Sequence, residues 1–400
     1  MRTHIRASVM VLCLVSLAVP VVATAGAPAG GSQVIIGLAQ EPNQLGEFTI
    51  MAVAGVIHNV LWGYVAPFND KWVRTPLMVE KLPTIKDGDW QVLPNKKMRV
   101  TWKLKRGFTW HDGKPVTALD YRFTYAMKRN PRVQEIEDRF IVRKVDNILV
   151  PRPSDPYTMV VQWNELWPFA NTDPFGNQII YPRHLLESAY LKDPSRISRH
   201  PYWRAPVANG PYRFVEWVGG SHMTFEAYDK WAPRQGAPKV KRITFRFILD
   251  STVLLANQIA GNVDGSEINN FGITEMVEIE RRNPAIATHY TEALIWERID
   301  INLDNEWLKD KRVRQAMAYA VDRETIVRAL FQGKQPVAHS WLAPRHPAYN
   351  PNVKKYAYDP ARAKALLAEA GFTPGADGVL RDSSGKRVEM TIMTTAGNAV

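Results

Sequence analysis

The chain has almost no cysteine, which limits the ways in which it can be stabilised. Its single cysteine, Cys13, lies among the first 25 of 400 residues. The rest of the chain can form no disulfide and offers no cysteine pair for a zinc site. Its stability must therefore come from packing.

The sequence also lacks the local signatures of common enzymes. It contains no G-x-S-x-G, no H-E-x-x-H and no phosphate-binding loop, and its nine histidines are dispersed. His111 and Asp112 lie in a Trp-His-Asp-Gly turn, where Asp and Gly suit the backbone geometry. We therefore expect a protein that is not an enzyme, with no catalytic residue, metal ligand or cofactor. A secreted hydrolase with two carboxylates across a groove is the remote alternative.

Long apolar runs are missing except at the N-terminus. There, Arg2 and Arg6 precede an apolar run at 9–22, and Ala23-Thr24-Ala25 matches a small-residue cleavage site. Pro20 interrupts the run, which is shorter than the roughly 20 residues of a transmembrane helix. The sequence predicts a cleaved signal peptide at residues 1–25 and a secreted, periplasmic protein.

Acidic residues are outnumbered by basic ones. The net charge is +12, or +10 without Arg2 and Arg6. Such an excess can indicate binding to nucleic acid or to an anionic membrane. Here the basic residues alternate with acidic ones along the chain, and no nucleic-acid-binding motif is present. We expect a solvated basic surface and no nucleic-acid partner.

Periodic apolar positions predict alternating strands and helices in the first two thirds of the chain. Residues 34–38 are typical of a buried strand and 49–64 of a helix, which together form a βα unit. Residues 98–104 and 157–163 alternate apolar and polar positions and predict antiparallel strands. Between them, Thr117 and Asp120 resemble a capping box at the start of a helix. Further strands are predicted at 212–217, 224–227 and 243–248, and a helix at 253–259.

The last third predicts two amphipathic helices. Residues 309–331 carry apolar positions at helical spacing and predict one long helix that Gly333 ends. Residues 360–370 predict a second helix that ends at Gly371, and a strand is expected to begin at 390–393. A chain of this length exceeds a single core. The predicted fold class is α/β, with two lobes and an antiparallel inserted subdomain.

Four stretches appear in an order that resembles the family 5 extracellular solute-binding proteins. They are FTWHDGKPVTALD at 108–120, NGPYRFVEW at 209–217 with YDKW at 228–231, the segment 310–333 around VRQAMAYAVDR, and YDPARAKALLAEAGF at 358–372. That family includes the dipeptide-, oligopeptide- and nickel-binding components of ABC importers. His-Asp-Gly-Lys-Pro is a tight turn that precedes a capped helix, and Asn-Gly-Pro is a chain reversal that precedes a strand. Such motifs indicate a fold rather than a ligand.

The resemblance implies a periplasmic-binding-protein-like fold. Lobe I would comprise 33–70 and 180–262, the inserted subdomain 71–179, and lobe II 263–400, with lobe II truncated at the C-terminus. A monomer would bind a peptide-like solute between the lobes and deliver it to ABC permease subunits. Oligosaccharides and nickel chelates are the alternative ligands.

Candidate ligand-binding residues come from three segments and one aromatic residue. One segment follows the first strand at its carboxyl end, the usual ligand side of an α/β sheet. Another lies near the crossover between lobes, where amides and an aromatic ring suit a peptide. The third corresponds to a loop in which dipeptide binders carry an arginine; none is present here, so dipeptide specificity is not expected. The candidates are Gln40, Glu41, Asn43, Trp62, Glu267, Asn269, Asn270, Phe271, Thr395 and Asn398.

Overall fold

The fold is seen in a computed structural model of the chain. The structure describes residues 32–48, 52–69, 73–133, 140–174, 179–231, 238–266, 272–288, 290, 296, 298–344, 346 and 348–393. Within these ranges, a five-stranded sheet and a four-stranded sheet lie in the first two thirds of the chain, and helices dominate the last third.

A mixed five-stranded sheet organises the first part of the chain. Its strands are β1 (Gln33–Leu38), β6 (Tyr212–Val218), β7 (His222–Ala227), β8 (Arg242–Phe247) and β9 (Gly265–Ser266). Their spatial order is β6-β7-β8-β1-β9. Strand β1 pairs in parallel with β8 and β9, whereas the β6–β7 and β7–β8 pairs are antiparallel. The predicted strands at 34–38, 212–217, 224–227 and 243–248 are thereby confirmed.

The core of this sheet is rich in aromatic side chains. Phe225 and Phe245 are fully buried on neighbouring strands, with ring centroids 5.7 Å apart in an edge-to-face arrangement. Beyond them, Trp203 contacts the rings of Phe48 and Tyr181. Helix α1 (Ala52–Leu61) packs into the same core, which confirms the predicted helix. Edge-to-face contacts of this kind stabilise a core beyond the area that they bury.

The predicted antiparallel subdomain is present as a four-stranded sheet. Its strands are β2 (Trp90–Val92), β3 (Met98–Lys103), β4 (Val145–Leu149) and β5 (Thr158–Trp163), in the order β2-β3-β5-β4. The alternation in β3 and β5 places one face of each strand in a second core, where Trp102 and Trp163 are fully buried. The short helix α3 (Phe140–Arg143) precedes β4.

Helix α2 (Ala118–Arg129) lies between the two cores. Thr117 caps it, and the capping box with Asp120 is complete as predicted. Phe123 and Met127 pack into the core of the five-stranded sheet, and Tyr121 packs into the core of the four-stranded sheet. The inserted sheet is therefore attached through a shared helix, and the boundaries at 70 and 180 stay a prediction.

Side-chain bonds fasten α2 to the segment that follows the inserted sheet. The backbone N–H of Tyr181 donates to Oγ1 of Thr124 at 2.8 Å, and that of Arg183 donates to Oδ1 of Asp120 at 3.0 Å. The fully buried Lys128 pairs with Glu47. Helix α4 (Arg183–Lys192) and two 3₁₀ helices, Pro194–Arg199 and Pro201–Arg204, follow.

The last part of the chain is mainly helical. Its elements are α5 (Ser251–Ile259), α6 (Ile273–Arg282), α7 (Lys311–Ala320), α8 (Arg323–Phe331), α9 (Pro360–Glu369), β10 (Thr373–Pro374) and β11 (Leu380–Arg381). Helices α7 and α9 pack together around Ala316, Ala363 and Leu366. The predicted helices at 253–259 and 360–370 are confirmed, and Gly371 takes the left-handed φ of 89° that ends α9.

The prediction of one long helix at 309–331 is wrong. Val321 adopts an extended conformation, and the side chain of Asp322 accepts the N–H of Thr325 as the cap of a new helix. Aspartate favours such a cap because its carboxylate satisfies a free N–H of the first turn. The apolar spacing therefore continues across two helices. The predicted stop at Gly333 is confirmed by its φ of 72°.

The strand expected at 390–393 is also absent. Residues 390–393 are described and belong to no strand. The nearest pairing is the β10–β11 hairpin, which ends in an isolated bridge between Arg381 and Arg387. A strand needs a neighbour to satisfy its backbone groups, and no described strand lies beside this segment.

Candidate functional site

Two of the stretches that carry the family resemblance bind each other. The backbone N–H of His111 donates to the carbonyl of Ala208 at 2.8 Å, and its ring Nε2 donates to that of Gly210 at 3.1 Å. A side chain at Gly210 would overlap the carbonyl of Leu61, so only glycine allows this approach. These stretches therefore form a structural junction between the inserted sheet and the first helix.

His111 and Asp112 do not form a catalytic dyad. Burial lowers the pKa of His111 to about 4, which keeps the ring neutral at neutral pH. Asp112 instead accepts a hydrogen bond from Nε2 of His184, at 2.7 Å. Each side chain thus has a separate structural partner.

Several chain segments converge at one edge of the five-stranded sheet. Because β1 and β8 are parallel, they end at the same edge, β1 at Leu38 and β8 at Phe247. Strand β7 runs in the opposite direction and begins there, with His222 opposite Arg246. Residues 39–44, 219–221 and 248–250 therefore gather at the carboxyl end of β1, where open α/β sheets bind ligands.

Two of the predicted ligand residues are exposed at this edge. Gln40 and Asn43 both lie in the segment that follows β1, and both are exposed to solvent. Their amides each carry a donor and an acceptor, which suits the peptide backbone. Between them, Pro42 is buried and restricts the backbone.

Glu41 has hydrogen-bond partners within the fold. The indole N–H of Trp217 donates to Oε1 of Glu41 at 2.7 Å, and the backbone N–H of Gly220 donates to Oε2 at 2.8 Å. Gly220 adopts a φ of 70°, which favours glycine in this turn. The carboxylate therefore ties the segment after β1 to the β6–β7 turn.

Trp62 lies in the core rather than at the edge of the sheet. Only 1% of its surface is exposed, and its ring packs edge-to-face on His58 with a centroid distance of 5.2 Å. Its position at the end of a βα unit is therefore explained by packing. The remaining predicted ligand residues lie outside the described residues; they are Glu267, Asn269, Asn270, Phe271, Thr395 and Asn398.

Sequence reasoning missed the residues that support this edge. The guanidinium of Arg204 lies 3.5 Å from the ring centroid of Trp217, and its Nη1 donates to the carbonyl of Asn43 at 3.3 Å. Arg204 is 161 positions from Asn43, and Trp217 is 176 positions from Glu41. The Gly219-Gly220 pair is a local turn signal near Trp217, but it does not indicate a contact with Glu41.

The edge carries charges of both signs. Arg204 and Arg246 are exposed there, and Asp250 caps α5 by accepting the N–H of Val253 at 2.9 Å. In the part of the chain that the structure describes, no three histidine, cysteine or acidic side chains cluster as metal ligands. No helix among the described residues is both long and apolar enough for a transmembrane span.

Comparison with known proteins assigns the fold. A family model for bacterial extracellular solute-binding proteins, family 5 middle, matches residues 87–400. The chain belongs to this family. The resemblance predicted from the four stretches is thereby confirmed.

Two curated relatives of this family 5 chain bind different solutes according to their names. The oligopeptide-binding protein AppA of Bacillus subtilis is 27% identical over 389 residues, which cover 94% of this chain and 66% of AppA. The nickel-binding periplasmic protein of Escherichia coli is 28% identical over 230 residues, covering 56% of this chain and 42% of the relative. This chain therefore spans less than two thirds of either relative.

A solved structure supports the fold. The oligopeptide-binding protein of Thermus thermophilus, complexed with a pentapeptide, superposes with a TM-score of 0.66 at 26% identity. The match covers 90% of this chain and 66% of the other. The predicted α/β periplasmic-binding-protein fold is confirmed.

Proposed function

We propose that this protein is the substrate-binding component of an ABC importer and that it binds a peptide-like solute. Membership of family 5 is the observation that carries the proposal. The open carboxyl edge of the five-stranded sheet supports it, since Gln40 and Asn43 present exposed amides there. Binding would leave the covalent bonds of the solute intact.

We propose that the solute lies in a cleft between lobe I (33–70 and 180–262, with the insert 71–179) and lobe II (263–400). Interlobe clefts are common ligand sites, and hinge closure would bury the solute. The closed monomer would then deliver the solute to membrane permease subunits. Secretion to the periplasm would follow from a signal peptide at residues 1–25, with cleavage before Gly26.

A nickel chelate is the second candidate ligand. The nickel-binding relative is 28% identical over 56% of this chain, which is comparable with the identity to the oligopeptide-binding relative. A metal chelate could be bound through its organic ligand and would require no protein ligand to the metal. Peptides remain the first candidate because the match to the oligopeptide-binding relative extends over 94% of the chain.

Ligand identification in the native full-length protein tests this function. Mass spectrometry of the natively purified protein should detect a co-purifying peptide with unchanged covalent structure. Calorimetry against pentapeptides, oligosaccharides and nickel–histidine should give saturable 1:1 binding for one class. Catalytic cleavage of any of these compounds would contradict the proposal. So would a failure to bind any compound from the three classes. N-terminal sequencing of the secreted protein should begin at Gly26.

A further inference from the structure

The segment that follows β1 is tethered at several points along its length. The carboxylate of Glu41 accepts two N–H groups of the β6–β7 hairpin, and the carbonyl of Asn43 accepts from Arg204. Further along the segment, the N–H of Leu45 donates to the carbonyl of Trp203 at 2.9 Å. These contacts fix the backbone of 41–45 while the side chains of Gln40 and Asn43 stay exposed.

Glu41 makes the longest-range of these tethers. Its partners, Trp217 and Gly220, lie 176 and 179 positions away in the sequence. Hydrogen bonds to an ionised carboxylate are stronger than bonds between neutral groups. Trp217 is itself held by Arg204, which also contacts Asn43, so the contacts form a closed ring around the segment.

We propose that Glu41 is a positioning residue that holds Gln40 and Asn43 in a ligand-ready geometry at the carboxyl edge of the sheet. This inference rests on the proposed function, because the exposed amides need a solute to contact. It changes the role expected for Glu41 from ligand contact to support. A fixed segment would bind with less loss of conformational entropy than a free loop.

Hydrogen exchange of the ligand-free, full-length protein tests the tether directly. Glu41→Ala removes both acceptor oxygens, so the amide of Gly220 should exchange about tenfold faster than in the wild type. Glu226→Ala is the matched control. Glu226 lies on the same hairpin at the opposite edge of the sheet, where it pairs with Arg213 and Arg242. Unchanged exchange at Gly220 in Glu41→Ala would overturn the inference.

A double-mutant cycle on the same protein separates positioning from general stability. A randomised pentapeptide mixture serves as the probe, with retained peptides quantified by mass spectrometry. Gln40→Ala should weaken retention about fivefold in the wild type, as expected for one hydrogen bond, and less than about twofold in a Glu41→Ala background. The loss of effect is the signature of positioning, which a purely structural role would not produce. Equal effects of Gln40→Ala in both backgrounds would overturn the inference.

Failure of this inference and failure of the proposed function give different results. If the wild type retains no pentapeptide, the peptide function is contradicted, while the exchange rate of Gly220 still decides the role of Glu41 as a tether. If the wild type retains pentapeptides but Gln40 and Glu41 act independently, the function stands and the positioning role is lost.

Discussion

Residues 33–266 and 272–393 differ sharply in how much apolar surface they bury within themselves. The first region has two large cores, in which Trp102, Trp163 and Trp203 are almost completely inaccessible. In the second region, the two clusters around Trp307 and Ala316 are small, and Trp341 and Ile392 are 66% and 78% exposed. Within these 400 residues, stability should therefore be concentrated in the first region, since burial of apolar surface is the main favourable term in folding.

The two regions also differ in how their elements are held in place. In the first region, the inserted sheet and the five-stranded sheet share α2, and the edge at Gln40 is supported by the 3₁₀ helix Pro201–Arg204 and the β6–β7 turn. In the second region, helices α8 and α9 also have side-chain caps, but few or none of their residues are buried against other elements. A cap defines where a helix begins, whereas packing decides how much it stabilises the protein.

Expressing the two regions as separate fragments should give the largest difference in unfolding behaviour. A fragment of residues 32–266 contains both large cores and should unfold cooperatively, with a near-ultraviolet dichroism signal from its buried aromatic residues. A fragment of residues 272–393 should show neither property, because it buries little of its own apolar surface. Thermal unfolding followed by circular dichroism of each fragment and of the 400-residue chain checks this. Cooperative unfolding of the second fragment would contradict the comparison.

Tryptophan substitutions in the two regions should give the next largest difference, measured as the change in the free energy of unfolding. Trp163→Ala creates a cavity in the inserted core and should lower the free energy of unfolding by about 3–5 kcal/mol. Trp341→Ala removes a side chain that is 66% exposed and should change it by less than about 0.5 kcal/mol. Denaturant titrations of both variants of the 400-residue chain give these values. Similar losses at the two positions would mean that Trp341 is buried in solution.

Acidification should act mainly through the first region. Burial lowers the pKa of His111 to about 4, whereas an unfolded histidine titrates near 6.5. Between these values the unfolded state binds more protons, so His111 should contribute a fall of about 3 kcal/mol in the free energy of unfolding as the pH decreases from about 6.5 to about 4. His111→Gln should make this dependence shallower by that contribution, as measured by denaturant titration at each pH.

His339 provides the matched control in the second region. It is partly exposed, and burial together with Lys355 and Arg323 lowers its pKa. Because solvent screens such a group, His339→Gln should leave the pH dependence close to that of the wild type. If His339→Gln flattened the dependence more than His111→Gln, the comparison between the regions would be reversed.

Removing a helix cap in each region should give the smallest difference in the free energy of unfolding. Thr117→Ala removes the cap of α2, whose buried residues join two cores, and should lower the free energy of unfolding by about 1 kcal/mol. Asp322→Ala removes the cap of α8, whose nine residues are all described and none of them buried. Fraying of α8 should therefore cost less than about 0.5 kcal/mol in a denaturant titration. A larger cost at Asp322 would show that α8 packs more tightly than its exposure indicates.

Much of the fold could be predicted from the sequence because its signals are local. Alternation in β3 and β5, the Thr117–Asp120 capping box and the glycines at 333 and 371 each specify an element through nearby residues. The break at Asp322 was missed because apolar spacing continues on both sides of it. Continuous apolar spacing predicts a single helix, even where a capping residue in the middle of the segment begins a second one.

The candidate site could be predicted only in part, because its support is not local. The position of Gln40 and Asn43 after the first strand followed from the general rule for α/β sheets. The roles of Glu41, Trp217 and Arg204 depend on contacts between residues far apart in the sequence, which no periodicity reveals. Trp62 was expected at a ligand because tryptophan suits both stacking and core packing, and the structure places it in the core.

Hydrogen exchange of the full-length protein with and without its co-purified solute tests the central claim most directly. Residues 39–44 and the 219–221 turn should gain protection when the solute is bound, and the solute should be recovered chemically unchanged. Protection confined to the inserted sheet, or recovery of a cleaved solute, would contradict it.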